Sequence, residues 1–178
     1  PNGTEQEMQA FAALARTDLE AASAIGTDDA SLCCMLVDEW IALRGFEQAE
    51  ALLQKMKELP EDVVAEYFFD ENDWTVAQFT RAARLAMRRG ASTEVVPLAD
   101  ETLASVKSEY HRAEILPLAV PLYAAAGRAS DASAALEEYL EIAPKFGIEV
   151  EPRWIAWLKS LVEGSADRPY AVIDTLEP

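Results

Sequence analysis

Apolar residues recur along most of the chain at spacings of three and four, the period of an α-helix with one buried face. Val76, Phe79, Ala83 and Ala86 illustrate the pattern, and Gly90 marks the point where that helix ends. No convincing run of residues alternates with the period of two that a half-buried strand requires. The sequence therefore predicts an all-α fold.

The predicted helices are short and follow one another closely. They cover residues 4–26, 28–44, 46–59, 74–89, 93–106, 109–126, 130–143 and 152–163. Residues 61–69 form a short helix or an apolar plug, and Asn72 or Asp73 caps the helix that follows. The tail 164–178 is either one more short helix or a segment that packs through Tyr170, Val172 and Ile173.

Glycines mark the turns between consecutive helices. Gly45, Gly90 and Gly127 are 45 and 37 residues apart, which lies in the range of periods found in helical solenoids. Frequent helix ends exclude a long coiled coil, and a four-helix bundle needs fewer, longer helices. The main signal in the sequence is therefore an internal repeat of helical hairpins.

Residues 114–144 resemble a tetratricopeptide repeat. The family's order of an aromatic, a glycine, an alanine, a large apolar residue and a proline reads here as Tyr123, Gly127, Ala132, Leu136 and Pro144. The resemblance implies a tetratricopeptide-like (TPR-like) α-solenoid of antiparallel hairpins. The single domain spans 1–178, with the best repeat at 113–146 and looser copies at about 30–60 and 74–106.

The best repeat departs from the family pattern in its first helix. Leu116 and Val120 replace the residues that the family favours there, and Pro117 and Pro121 each remove a backbone hydrogen bond, at a cost of about 3 kcal/mol. In the first of the looser copies, Gly45 stands one residue away from the family's position for glycine.

The charge balance narrows the classes of partner. The chain has 15 basic and 32 acidic residues, a net charge of −17. Such a field repels phosphate backbones and anionic lipids, so we expect neither nucleic-acid nor membrane binding. Cys33 and Cys34 are adjacent on a helix and cannot form an unstrained disulfide, so we interpret them as core residues in a reducing compartment, the cytoplasm.

One helix carries a concentration of positive charge. Arg81, Arg84 and Arg88 are spaced i, i+3 and i+7, which places them on one helix face. The resemblance implies that the first helix of each pair lines a concave groove, where arginine would bind an acidic peptide or a C-terminal carboxylate. Met87 and Tyr123 would supply apolar contacts. The alternative interpretation of the arginines is internal ion pairing with the surplus carboxylates, which is worth little per pair.

No motif indicates catalysis, a metal or a cofactor. His111 is the only histidine, and the acidic stretch 70–73 lacks the glycine and the closing glutamate of a calcium-binding loop. We therefore expect a protein that is not an enzyme and that binds neither metal nor cofactor.

The sequence as a whole predicts a protein–protein interaction module, a scaffold or adaptor, that binds a partner peptide or helix in a concave groove. A regulatory or oligomerisation segment of a larger polypeptide is the alternative, and an enzyme of unrecognised type is the third hypothesis. The sequence leaves the oligomeric state open. It also does not decide whether the acidic surface serves basic partners or adaptation to high salt.

Overall fold

The computed structural model describes residues 5–25, 28–68, 70–149 and 151–164, and these form helices and the turns between them without a strand. This confirms the all-α class. The chain divides into two compact units, residues 1–70 and 71–178, so the single domain 1–178 stays a prediction. Thr4, expected to cap the first helix, and residues 165–178 of the tail lie outside the described residues.

The described residues of the first unit form four helices, α1 (Glu5–Ile25), α2 (Ala30–Ala42), α3 (Phe46–Glu58) and α4 (Glu61–Ala65). Helix α2 packs against both α1 and α3. Asp29 caps α2, because its Oδ1 accepts a hydrogen bond from the Leu32 amide at 2.7 Å, while its Oδ2 accepts one from the Tyr67 hydroxyl at 2.8 Å. Cys33 and Cys34 are both buried as predicted, and burial raises the pKa of the Cys33 thiol.

Helix α1 packs less completely than its apolar spacing predicts. The three-and-four spacing of apolar residues in α1 predicts Leu14 on the buried face, but Leu14 is 62% exposed, and none of the side chains described in α1 is buried. Two hydrogen bonds tie α1 to α2 and its C-terminal end. The Arg16 guanidinium donates to the Leu43 carbonyl at 3.0 Å, and Trp40 Nε1 donates to Ser23 Oγ at 3.1 Å.

Within residues 71–149 and 151–164, the second unit forms five helices, α5 (Glu71–Arg89), α6 (Val96–Ser105), α7 (Glu109–Ala125), α8 (Ala129–Ile142) and α9 (Pro152–Val162). Short 3₁₀ turns at Ser92–Val95 and Ala143–Phe146 precede α6 and follow α8. Helix α7 is the centre of the unit, since it packs against each of the other four helices. Pro117 and Pro121 lie inside α7 without ending it.

Three helices, α2, α5 and α7, end in the same backbone turn. Arg44, Gly90 and Gly127 have φ angles of 58°, 72° and 72°, which lie in the left-handed region. The amide of the next residue then donates to a carbonyl five positions earlier, the longer bond of a Schellman motif. These bonds are Gly45 to Trp40 at 2.8 Å, Ala91 to Ala86 at 2.8 Å and Arg128 to Tyr123 at 2.9 Å.

The turn explains why Gly45 stands one residue away from the expected position. Arg44, not Gly45, is the left-handed residue, so Arg44 corresponds to Gly127 and Trp40 to Tyr123, both with an offset of 83 residues. With this offset, nine of the eleven buried positions of the hairpin α2–α3 fall on buried positions of α7–α8, and the other two, Cys34 and Ile41, fall on the half-buried Pro117 and Ala124. The coinciding pairs include Ala30 and Ala113, Val37 and Val120, Ala49 and Ala132, Leu53 and Leu136, and Met56 and Tyr139.

The two hairpins differ in the residue that follows the left-handed position. Gly45 lies against the indole of Trp40, and a β-carbon on Gly45 would lie 2.3 Å from Trp40 Cε3. The corresponding residue in α7–α8 is Arg128, whose guanidinium lies over the Tyr123 ring at 4.6 Å from its centroid. A large indole beside glycine in one hairpin thus corresponds to a smaller ring beside arginine in the other.

The left-handed Arg44 predicts a stability difference between two variants. Arg44→Gly should be more stable than Arg44→Ala by about 1 kcal/mol, because only glycine adopts this backbone conformation without the steric penalty of a β-carbon. Both variants remove the same side-chain interactions, so their difference isolates the backbone contribution. Urea unfolding of the two variants, followed by hydrogen exchange in α2 and α3, measures it. Equal stabilities would contradict the assignment of strain to Arg44.

Candidate functional site

The three arginines singled out by sequence lie on one side of α5. Arg84 is about 140° around the helix from the buried Phe79, so the stripe lies outside the face that Phe79, Ala83 and Met87 bury in the core of the second unit. All three side chains are half-buried. The Arg81 guanidinium donates to the Ala77 carbonyl, one turn earlier, at 3.0 Å. Arg81, Arg84 and Arg88 therefore form one continuous face.

Met87 and Tyr123, expected to supply apolar contacts to a ligand, are instead part of the core. Met87 is 1% exposed, because it follows the buried Ala83 by one helical turn and shares its face. Tyr123 is 5% exposed, and its hydroxyl donates to Asp100 Oδ1 at 2.8 Å. Neither side chain offers apolar surface to a ligand in this structure.

Helices α5 and α7 lie side by side with their N-terminal ends level. His111, the third residue of α7, is 6% exposed, and its Nε2 lies 2.7 Å from Oδ1 of Asp73, the third residue of α5. The Nδ1 atom of His111 is buried without a hydrogen-bond partner. Helix α6 runs antiparallel to α7, since Tyr123 near the end of α7 bonds Asp100 in the middle of α6, while Arg112 near the start of α7 bonds Leu103 near the end of α6. Because the turn at the end of α5 also reverses the chain, α5 and α7 are parallel.

The outward side of α7 adjoins the arginine stripe. In the structure Glu114 is exposed, Pro117 and Ala124 are half-buried, and Pro121 is buried. We call this surface the α5–α7 face and define it by Asp73, Arg81, Arg84 and Arg88 on α5 and by Tyr110, Glu114, Pro117 and Leu118 on α7.

A second candidate lies on another side of α7, in a cavity of about 340 Å³ between α6, α7 and α8. Arg112 is its central cation. Its Nη1 donates to the Leu103 carbonyl at 2.7 Å, near the end of α6, and its Nη2 donates to Glu138 Oε2 on α8 at 2.8 Å. Arg112 therefore braces three helices, which is a structural use of its charge.

Arg128 has a similar role at the other end of this cavity. Its Nη1 donates to Asp100 and its Nε to Asp131, both at 2.7 Å, and its guanidinium covers the ring of Tyr123. The hydrogen bond from Arg128 lowers the pKa of Asp100. Burial raises the pKa of the Tyr123 hydroxyl. The two arginines of the cavity thus already bind carboxylates of the same unit.

The first unit has a smaller cavity at the corresponding position, between α1 and α3 with Trp40 as its floor. Its volume is about 230 Å³, and its other lining residues are Glu20, Ser23, Gln48, Ala51, Leu52 and Lys55. Glu20 and Lys55 are the charged residues of this lining.

The prediction that Asn72 or Asp73 caps the helix after residues 61–69 is wrong, because both residues lie inside the first turn of α5. Helix α5 begins at Glu71, and Asp73 in its first turn pairs with His111. In the described part of the chain, no cluster of His, Cys, Asp and Glu side chains has an arrangement that could hold a metal ion. Among the residues that the structure describes, no helix has the length and apolar character needed to cross a membrane.

No protein-family model, curated protein or solved structure matches this chain.

The hydrogen bonds between Arg112 and Glu138 predict that acid lowers the stability of the second unit. The hydrogen bond from Arg112 lowers the pKa of Glu138. A carboxyl with a depressed folded-state pKa adds stability above its unfolded-state pKa, and this stability is lost as the pH falls through the folded-state value. Glu138→Gln should therefore destabilise the unit at neutral pH and approach the wild type in strong acid, where Glu138 is protonated in both states.

Urea unfolding at several pH values, with hydrogen exchange in α7 and α8 as the local readout, measures this effect. Glu101→Gln is the matched control, because it removes one carboxylate from an exposed position of α6. A Glu138→Gln penalty that is the same at every pH, or that Glu101→Gln reproduces, would contradict the prediction.

Proposed function

We propose that the protein is a protein–protein interaction module, built as a TPR-like α-solenoid, and that the α5–α7 face is the groove that binds an acidic segment of a partner. The buried thiols of Cys33 and Cys34 suit a reducing compartment, so the proposal includes the cytoplasm.

The packing of the second unit supports the solenoid. Helix α7 packs against both preceding helices, α5 and α6, and α9 packs in turn against α7 and α8. In stacked hairpins each new first helix contacts both helices of the hairpin before it. The shared turns at Arg44, Gly90 and Gly127 add the same hairpin geometry at three places in the chain. In such a stack α5 and α7 are successive first helices, the ones that line the groove.

The observation that carries the binding proposal is the arginine stripe itself. A chain with a net charge of −17 places Arg81, Arg84 and Arg88 on one face of α5. Guanidinium groups bind carboxylates through two parallel hydrogen bonds. Since the three side chains are half-buried, part of their conformational freedom is already lost before a ligand binds, which reduces the entropy lost on binding. Pro117 and Leu118 on α7 supply the apolar contacts that Met87 and Tyr123 cannot.

A peptide-display selection on the immobilised protein tests the proposal. We expect enriched peptides to be rich in Asp and Glu, and we expect an Arg81, Arg84, Arg88→Glu triple variant to bind them at least about tenfold more weakly, because charge reversal replaces attraction by repulsion. Raising the salt concentration should weaken wild-type binding as well. Fluorescence anisotropy with the enriched peptides gives both numbers.

The matched control is a Lys55, Lys57, Lys107→Glu triple variant, which makes the same change in net charge at three exposed positions outside the α5–α7 face. This control should keep nearly all of the peptide affinity. Equal losses in the two triple variants would show a general charge effect and contradict the assigned site. A selection that enriches no peptide would overturn the proposed function.

A further inference from the structure

Charge is segregated along the α5–α7 face. Asp73 and Glu114 lie at the end where both helices begin, level with the His111–Asp73 pair. Arg84 and Arg88 lie toward the end of α5. The face therefore has an acidic end and a basic end, and a ligand that covers it meets both.

The acidic end has the features of a site for a cation. Glu114 is exposed, while Asp73 keeps about a third of its side chain exposed beside His111. Tyr110, one turn before Glu114, is 46% exposed, and its ring contacts His111 edge-on at a centroid distance of 5.4 Å. An exposed aromatic ring next to carboxylates attracts ammonium and guanidinium groups through both the ring quadrupole and the negative charge.

The surroundings of Glu114 disfavour the negative charge of its carboxylate. Loss of hydration raises the pKa of its carboxyl, and the negative charge of Asp73 acts in the same direction, while His111 and a hydrogen bond from Tyr110 oppose the shift. A cation bound here would therefore stabilise the ionised form of Glu114.

The distance between the two ends sets the length of a matching ligand. Asp73 and Arg84 are 11 residues apart on one helix, which corresponds to about 16 Å along its axis. An extended peptide covers that distance in about five residues.

We infer that the α5–α7 face binds a bipolar peptide segment, with lysine or arginine at the Asp73–Glu114 end and aspartate or glutamate about five residues away at the arginine stripe. The inference depends on the proposed function and specifies its ligand. A purely acidic segment would gain contacts at the stripe, yet it would meet repulsion from Glu114, Asp73 and the rest of an acidic protein.

Three fluorescein-labelled synthetic peptides test the inference. The bipolar peptide has two lysines, a neutral spacer of four residues and two glutamates. The second replaces both lysines by glutamine, and the third has the same composition as the first with lysine and glutamate alternating. We expect the wild-type protein to bind the bipolar peptide about tenfold more tightly than either of the others, and we expect spacers of one or eight residues to weaken binding.

Glu114→Gln separates the two ends of the site. It should remove the advantage of the bipolar peptide and leave the affinity for the lysine-free peptide unchanged or slightly improved, because only the lysine contact is lost. Glu101→Gln, an exposed carboxylate on α6, is the matched control and should preserve the preference. Circular dichroism of both variants checks that the helices remain intact.

The outcomes distinguish this inference from the proposed function. If the lysine-free peptide binds as tightly as the bipolar one, and Glu114→Gln changes neither affinity, the bipolar inference is overturned while acidic-peptide binding stands. If none of the three peptides binds and the display selection also enriches nothing, both are overturned. If the alternating peptide binds as tightly as the bipolar one, the segregation of charge has no role and the inference is wrong.

Discussion

The reversal of the chain at a single left-handed residue is the constraint on which the helix pairs depend. Once Arg44, Gly90 or Gly127 adopts a positive φ, the following amide reaches back five residues and the next helix starts antiparallel to the last. The register between the two helices is then set within one turn. In the second unit this register brings α7 against α5, α6, α8 and α9, so the burial of α7 and the placement of the α5–α7 face both follow from it.

Helical periodicity predicted the elements well, because burial of one face is a local property of a sequence. Val76, Phe79, Ala83 and Ala86 are all buried as predicted. Periodicity does not reveal how much of an apolar face a neighbouring helix will cover. Leu14 is therefore exposed although its spacing predicts burial. The left-handed position was missed at Arg44 for a related reason. Glycine is the usual signal for that conformation, and here the glycine is the next residue along.

The candidate site could be predicted only as far as one helix defines it. The spacing of Arg81, Arg84 and Arg88 puts them on one face whatever packs nearby. The partner of His111 is Asp73, 38 residues away, and no feature of a single sequence connects the two. Met87 was predicted to contact a ligand, but its side chain is buried in the core. Adjacent residues of a helix point in different directions, so Arg88 can lie on the α5–α7 face while Met87 does not. What the structure adds is a neighbour: with α7 beside α5, the cationic stripe becomes one end of a surface whose other end is acidic.

The contact between Gly45 and the Trp40 indole restricts how this protein can evolve. Any side chain at position 45 collides with the indole, and shrinking the indole while glycine remains leaves an unfilled gap in the first unit. The two positions must therefore change together, and each single step passes through a less stable intermediate. In the second unit the corresponding positions carry the other combination, Tyr123 with Arg128. Substitutions at these two sites should be strongly epistatic, and related chains should carry one pair or the other but rarely a mixture.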